Sequence, residues 1–197
     1  SQGLLNNLTK PFGDAAIAAM SVVNRFTMFI LCVGLGIGQG YQPFAAFNYE
    51  LKEYDRVKKG TKFLIAFGTI SVGALATLGF IFAPHIVALF QKDVQVISIG
   101  TRAMHYASVG LWFLPISVSC NMLYQSIRKA KMASLMAVMR SGAVLIPVLL
   151  LAGALGGLEG IIMSQGISDV LTGLITLPFY IMFFKQTPST AEAKVEK

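Results

Sequence analysis

Along the chain, long apolar runs alternate with short polar interruptions. The runs span about Ala15–Phe44, Phe63–Phe82, Val96–Tyr124, Ala133–Leu155 and Gly160–Phe184. Each is about 20 residues or longer, enough for a helix to cross a hydrocarbon core about 30 Å thick. The pattern predicts an all-α integral membrane protein, a polytopic bundle of about five full transmembrane helices. Residues 1–14 read as the end of a preceding helix, with Leu4 and Leu5 in its last turn, and a loop holding Pro11 and Gly13. Residues 15–187 form the bundle. Residues 188–197 form a polar tail, and the whole stretch from Lys185 onward reads as disordered.

The apolar runs end on positive charge. Gly34–Lys62 shows this best: four alternate glycines lead through Gln42 and Pro43 into a segment with Lys52, Arg56, Lys58, Lys59 and Lys62. If five spans alternate sides, these residues share a side with Arg128, Lys129, Lys131, Arg140, Lys185, Lys194 and Lys197. Twelve of the 16 Lys and Arg residues then lie on one side, against Lys10, Lys92 and Arg102 on the other, with Arg25 inside the first span. Such a bias marks the cytoplasmic side, so the C-terminus is expected there, in a multi-pass protein of the plasma membrane or cell inner membrane.

Composition agrees. The chain is 55% hydrophobic and 13% charged, against about 25% charged in soluble domains. The net charge of +7 sits at the ends of apolar runs, so it reads as topology rather than as a nucleic-acid surface. Cys32 and Cys120 lie within apolar runs and read as small packing residues without a disulfide. The opening SQGLLNNLTKPFGD has no initiator Met and no signal peptide, which fits a fragment or a processed start.

Within the runs, Gly34 with Gly38, and Gly36 with Gly40, stand four residues apart, a spacing that lets a neighbouring helix approach closely. A dinucleotide loop is excluded, because Gln39 occupies the place of its third glycine and no strand precedes. Pro115, Pro147 and Pro178 each lie inside a predicted span and are expected to kink it.

Polar residues in a bilayer face protein or water rather than lipid. In the third run Ser117, Asn121, Tyr124, Gln125 and Arg128 share one helical face, and His105, Ser108 and Trp112 form another stripe. In the fifth, Gln165, Asp169, Thr172 and Thr176 share a face. The two faces fit a shared polar cavity; they equally fit hydrogen-bonded contacts between helices. Trp112, Asn121, Tyr124, Gln125, Gln165, Asp169 and Thr172 are therefore candidate cavity residues for a substrate or ion. A mid-depth carboxylate costs roughly 2.5–3.5 kcal/mol on insertion scales. Arg25 and Arg102 are the candidate counter-charges for Asp169. His85 and His105 lack partners at metal-ligand spacing, and no nucleophile stands beside a base, so neither a metal site nor an enzyme is expected.

Gln42-Pro43, then Phe47-Asn48-Tyr49, then Tyr54, Arg56, Val57 and Lys58 resemble the QP…GYNYGA…Tyr-x-Arg-Val-Lys segment of the multidrug and toxic compound extrusion (MATE) transporters. YQSIRKAKMASLMAVMR (Tyr124 to Arg140) and GLEGIIMSQGISD (Gly157 to Asp169) are similar to two later motifs of that family, in the same order. The resemblance covers about Ser1–Thr187. It departs where Glu50-Leu51 replaces Gly-Ala and where Arg128 replaces a glycine. It implies a two-lobe, twelve-helix transporter of which this chain is the C-terminal lobe, helices eight to twelve with a stub of helix seven. It also implies secondary antiport of organic, often cationic, compounds against Na⁺ or H⁺, without a further cofactor. The implied partners are an N-terminal lobe, a small organic substrate and the lipid bilayer. Gln42, Pro43, Asn48, Tyr49 and Arg56 would form a structural and gating motif, with the helix ending near Gln42-Pro43. The alternatives are a lipid-linked oligosaccharide flippase of the same superfamily and a non-transporting membrane scaffold.

Overall fold

Apolar side chains cannot satisfy a backbone, so a chain crossing lipid must close its hydrogen bonds within helices. The computed structural model, which describes residues 13–191, is helical throughout, with no strand among those residues. Its elements are α1 (Asp14–Glu50), α2 (Tyr54–Ile81), α3 (Ala83–Phe90), α4 (Val94–Leu111), α5 (Leu114–Ser126), α6 (Ala130–Val138) and α7 (Leu145–Gln186), with a π-helical turn, Met139–Ala143, between α6 and α7. The predicted end of a preceding helix falls in residues 1–12, outside the described part.

Three helices, α1, α2 and α7, are long and apolar enough to cross a membrane, and α4 with α5 makes a fourth span bent by 45°. Unbroken, the 42 residues of α7 would reach about 63 Å, twice a bilayer core. The helix is in fact broken at Gly157, where φ is 56° and ψ −131°. This left-handed φ suits glycine. Past the break the chain folds back so tightly that a Cβ on Gly160 would fall on the Ala152 carbonyl. The helix α7 is therefore two helical segments that fold back on each other at Gly157.

The termini of the passes differ from expectation in instructive ways. The helix α1 does not stop near Gln42-Pro43; it continues through Pro43 to Glu50. The helix α2 begins at Tyr54, so the basic segment is an extension of the span rather than a loop. Pro115 lies in the first turn of α5, where its missing N–H costs nothing, and the bend falls just before it. Pro147 likewise lies in the first turn of α7, and only Pro178 is interior to that helix. Arg140 is not in a loop: it sits in the π turn between α6 and α7.

The core has three tiers along the bundle axis. Met20, Val23, Val87, Met104, Leu149 and Ile161 fill one end. Ile30, Val72, Leu111 and Leu114 fill the middle. Tyr41, Leu64, Leu123, Tyr124, Tyr180 and Phe183 fill the other end. The outer faces remain apolar, with Phe63 68% and Leu155 89% exposed, as suits a lipid solvent. Of the alternate glycines, Gly34 and Gly38 face α5 side chains, whereas Gly36 and Gly40 have nothing within 4 Å of where a Cβ would stand.

The stretch after Lys185 is ordered as far as it is described. Asp55 N–H donates to Thr190 Oγ1 (3.0 Å), and Thr190 N–H donates to Asp55 Oδ2 (3.1 Å). Lys58 Nζ donates to the Thr187 carbonyl (2.7 Å). The N-cap residue of α2, Glu53, supplies no side-chain cap. Thr190, far away in sequence, performs that service for a first-turn amide. The expected disorder is thus corrected for 187–191.

Candidate functional site

Two polar regions lie within the bundle. The first joins α1, α5 and α6 near the end carrying the α1–α2 turn. Gln42 Nε2 donates to Gln125 Oε1 (2.9 Å) and contacts Met122 Sδ (3.0 Å). Gln125 Nε2 donates to Asn121 Oδ1, and Asn121 Nδ2 donates to the Ala133 carbonyl (2.8 Å). Asn121 and Gln125, four residues apart, lie on one face of α5, and Gln42 meets them because α1 continues straight past Pro43. Beside them Tyr124 donates to the Phe179 carbonyl (2.9 Å), tying α5 to α7. Gln125 is exposed and Asn121 half-buried, so one side of this amide row is uncovered.

The turn beyond it is held by the remaining motif residues. Asn48 Nδ2 donates to the Phe44 carbonyl (2.8 Å), closing the last turns of α1. Tyr49 and Tyr54 bring their rings to 5.2 Å across the turn. Lys52 takes a left-handed φ of 59° there, and Arg56 is exposed. Glu50 pairs with Arg128 at 2.6 Å, joining this turn to the α5–α6 turn. Arg128 has φ 57°, which explains why glycine is usual at its place in the resembling motif.

The second region is deeper in the bundle. On α7 Thr172 and Thr176 donate to the carbonyls of Ser168 (2.7 Å) and Thr172 (2.6 Å), within their own helix. Ser117 does the same on α5, to Leu114. Asp169 lies against Gly110 of α4, and Arg140 acts on it through charge without a direct ion pair between the two. The expected counter-charges are not its partners: Arg102 is paired with Glu159, and Arg25 is exposed. Arg140 Nη1 and Ser108 Oγ are buried without a hydrogen-bond partner. A helix-to-helix contact of backbone on backbone, Gly110 on Gly166, holds α4 against α7 here.

The structure thus gathers Gln42, Asn121 and Gln125, with Tyr124 beside them. It does not bring Trp112, Gln165, Asp169 or Thr172 to the same place. Trp112 follows the last residue of α4 and packs on Gly73 of α2. His105 bonds to the Phe80 carbonyl (3.1 Å) and lies 4.2 Å from the Phe80 ring. Among the described residues no cluster of His, Cys, Asp and Glu could hold a metal. Arg140 escaped the sequence reading because it was counted with the adjacent basic loop. Its flanks, apolar or small on both sides, were the available signal.

Residues 2–151 match the MatE family. The chain belongs to the MatE family. It is 28% identical over 191 residues to the multidrug export protein MepA of Staphylococcus aureus (strain NCTC 8325 / PS 47), covering 96% of this chain and 42% of MepA. It is 25% identical over 148 residues to the probable multidrug resistance protein YoeA of Bacillus subtilis (strain 168), covering 75% of this chain and 29% of YoeA. Its fold is similar to that of the Vibrio cholerae MATE transporter VcmN in the bent form. The TM-score is 0.83 at 20% identity, over 92% of this chain and 41% of VcmN. The chain thus spans about two-fifths of the length of MepA and of VcmN. As a MatE protein it is a multi-pass helical membrane protein.

Proposed function

We propose that this MatE chain forms the C-terminal lobe of a secondary antiporter that exports organic, often cationic, compounds in exchange for Na⁺ or H⁺. The observation that carries this reading is the match to MepA along nearly the whole chain. A second lobe, completing the length seen in MepA, would form the other wall of a central cavity, and transport would follow from rocking of the two lobes. The open amide row of Gln42, Asn121 and Gln125 is the part of this lobe suited to meet a small polar or cationic compound. Pro43, Asn48, Tyr49 and Arg56 would shape the gate at the α1–α2 turn. Asp169 with Arg140 is an internal ion couple whose role is to hold the last hairpin to its neighbours. Residues 188–197 and the basic starts of α2 and α6 would face the cytoplasm.

The test is efflux of a fluorescent organic cation from proteoliposomes holding the complete protein, under an imposed Na⁺ or H⁺ gradient. Gradient-dependent efflux is expected with one of the two ions; absence of efflux with both would overturn the reading. Orientation is checked separately. Cysteines replacing Lys58 and Lys92 should react with an impermeant reagent from opposite sides.

A further inference from the structure

We propose that the groove between α1 and α2 is a binding site for one anionic glycerophospholipid, with an acyl chain along the groove and the phosphate on Lys59. A cavity of about 610 Å³ lies there, lined mainly by Gly36, Gly40, Phe44, Phe63 and Phe67, with Lys59 at one end. Its shape is built by sequence. Gly36 and Gly40 leave the α1 wall bare, since a Cβ on either would meet nothing within 4 Å. Phe63 and Phe67 form the opposite wall, their rings stacked 5.7 Å apart and 9° from parallel. Phe44, in contact with Gly60, closes the end near the basic segment.

Three features select the occupant. The groove runs from Lys59 to Phe67, eight residues of α2, or about 12 Å, close to the depth of one leaflet, about 15 Å. Its walls are apolar and aromatic, which suits an alkyl chain. Its single charge is a cation at the water boundary that makes no ion pair among the described residues. An organic cation is disfavoured there by Lys59, and a protein surface would have to bring its own carboxylate to the same spot. A lipid phosphate supplies that charge from within the bilayer, and basic residues at a span end attract anionic headgroups. Arg56 and Lys52, near the start of the same helix, add to the positive field. The leaflet is the cytoplasmic one if the orientation proposed above holds; the cysteine labelling decides that separately.

The test is thermal unfolding of the purified complete protein in uncharged detergent. Phosphatidylglycerol or phosphatidylcholine with identical acyl chains is added. Phosphatidylglycerol should raise Tm by roughly 2–4 °C with saturation, and phosphatidylcholine by less than half as much. Lys59→Gln should abolish the preference between the two lipids. Gly40→Leu, which fills the groove, should abolish the response to both; Gly36→Leu serves if Gly40→Leu does not purify. Lys92→Gln, at the opposite end of the bundle, should leave the response intact. Equal responses of the unaltered protein to both lipids would overturn the proposal. So would a preference that survives Lys59→Gln, or a response that survives the groove-filling variants.

Discussion

The amide row at the α1–α2 end and the Arg140–Asp169 region deeper in the bundle are both polar, yet they are partnered in opposite ways. In the first, Gln42, Gln125 and Asn121 pass hydrogen bonds from α1 through α5 to the α6 backbone, and Tyr124 extends the ties to α7. In the second, the threonines bond only within their own helix, while Arg140 Nη1 and Ser108 Oγ have no partner. An unmade bond at a buried polar group costs about 1–3 kcal/mol. The deeper region bears that cost where a π turn and the Gly110–Gly166 backbone contact replace side-chain packing. The difference teaches that hydrogen bonds lock one end of this bundle, whereas close approach and long-range charge hold the middle.

The largest effect should come from removing close approach in the middle. A Cβ on Gly166 would stand 2.4 Å from the Tyr106 carbonyl, with backbone that cannot yield. Gly166→Leu should cost more than about 3 kcal/mol and abolish monodisperse protein on size exclusion. A well-behaved variant would mean that α4 and α7 are not in backbone contact.

The charge couple comes next. Breaking a fully buried ion pair costs about 3–5 kcal/mol; Arg140 and Asp169 are half-buried and not in direct contact as a pair, so each single variant should cost well under that, about 1–2 kcal/mol, read as loss of thermal stability. The double variant Asp169→Asn with Arg140→Gln should recover at least half of that loss. Additive losses would show that the two groups do not act on each other. At matched protein levels Asp169→Asn should keep transport with an unaltered pH or Na⁺ profile; lost transport would move Asp169 from the helix contact to ion coupling.

At the locked end, Gln42→Ala removes two contacts and should cost about 1 kcal/mol, lowering protein level for all substrates alike. A selective loss for one substrate at normal level would make Gln42 a ligand contact instead. The smallest effect should be Arg128→Gly. Glycine relieves a left-handed backbone worth about 1–2 kcal/mol, against an exposed pair with Glu50 worth about 0–1 kcal/mol and glycine's own entropy cost. Denaturation should show a gain of at most about 1 kcal/mol, and a clear loss would mean that the Glu50 pair closes the turn.

The long apolar helices α1, α2 and α7 and the bent α4–α5 pair were legible because length and hydropathy alone decide what a bilayer accepts. The Asn121–Gln125 spacing was legible for the same reason that any i,i+4 pair is. Their joining to Gln42 was not, since it depends on α1 running on past Pro43, and proline reads locally as an ending. The starts of α2 and α6 were blurred because lysines and arginines are good helix formers beyond the bilayer as well as loop residues. Arg140 was passed over as a counter-charge to Asp169 because it was counted with the basic residues 128–131, whereas it sits in the π-helical turn between α6 and α7. The reading of the alternate glycines as packing sites also split: Gly34 and Gly38 receive a neighbour, and Gly36 and Gly40 leave a groove.

The Thr190–Asp55 clasp has a consequence for how the protein is made. The amide at the start of the second pass gets its side-chain partner from a residue synthesised 135 positions later. On the ribosome, the head of α2 waits for this partner until Thr190 has itself been made and has left the exit tunnel. A stall or a truncation before Thr190 leaves that helix start without its cap.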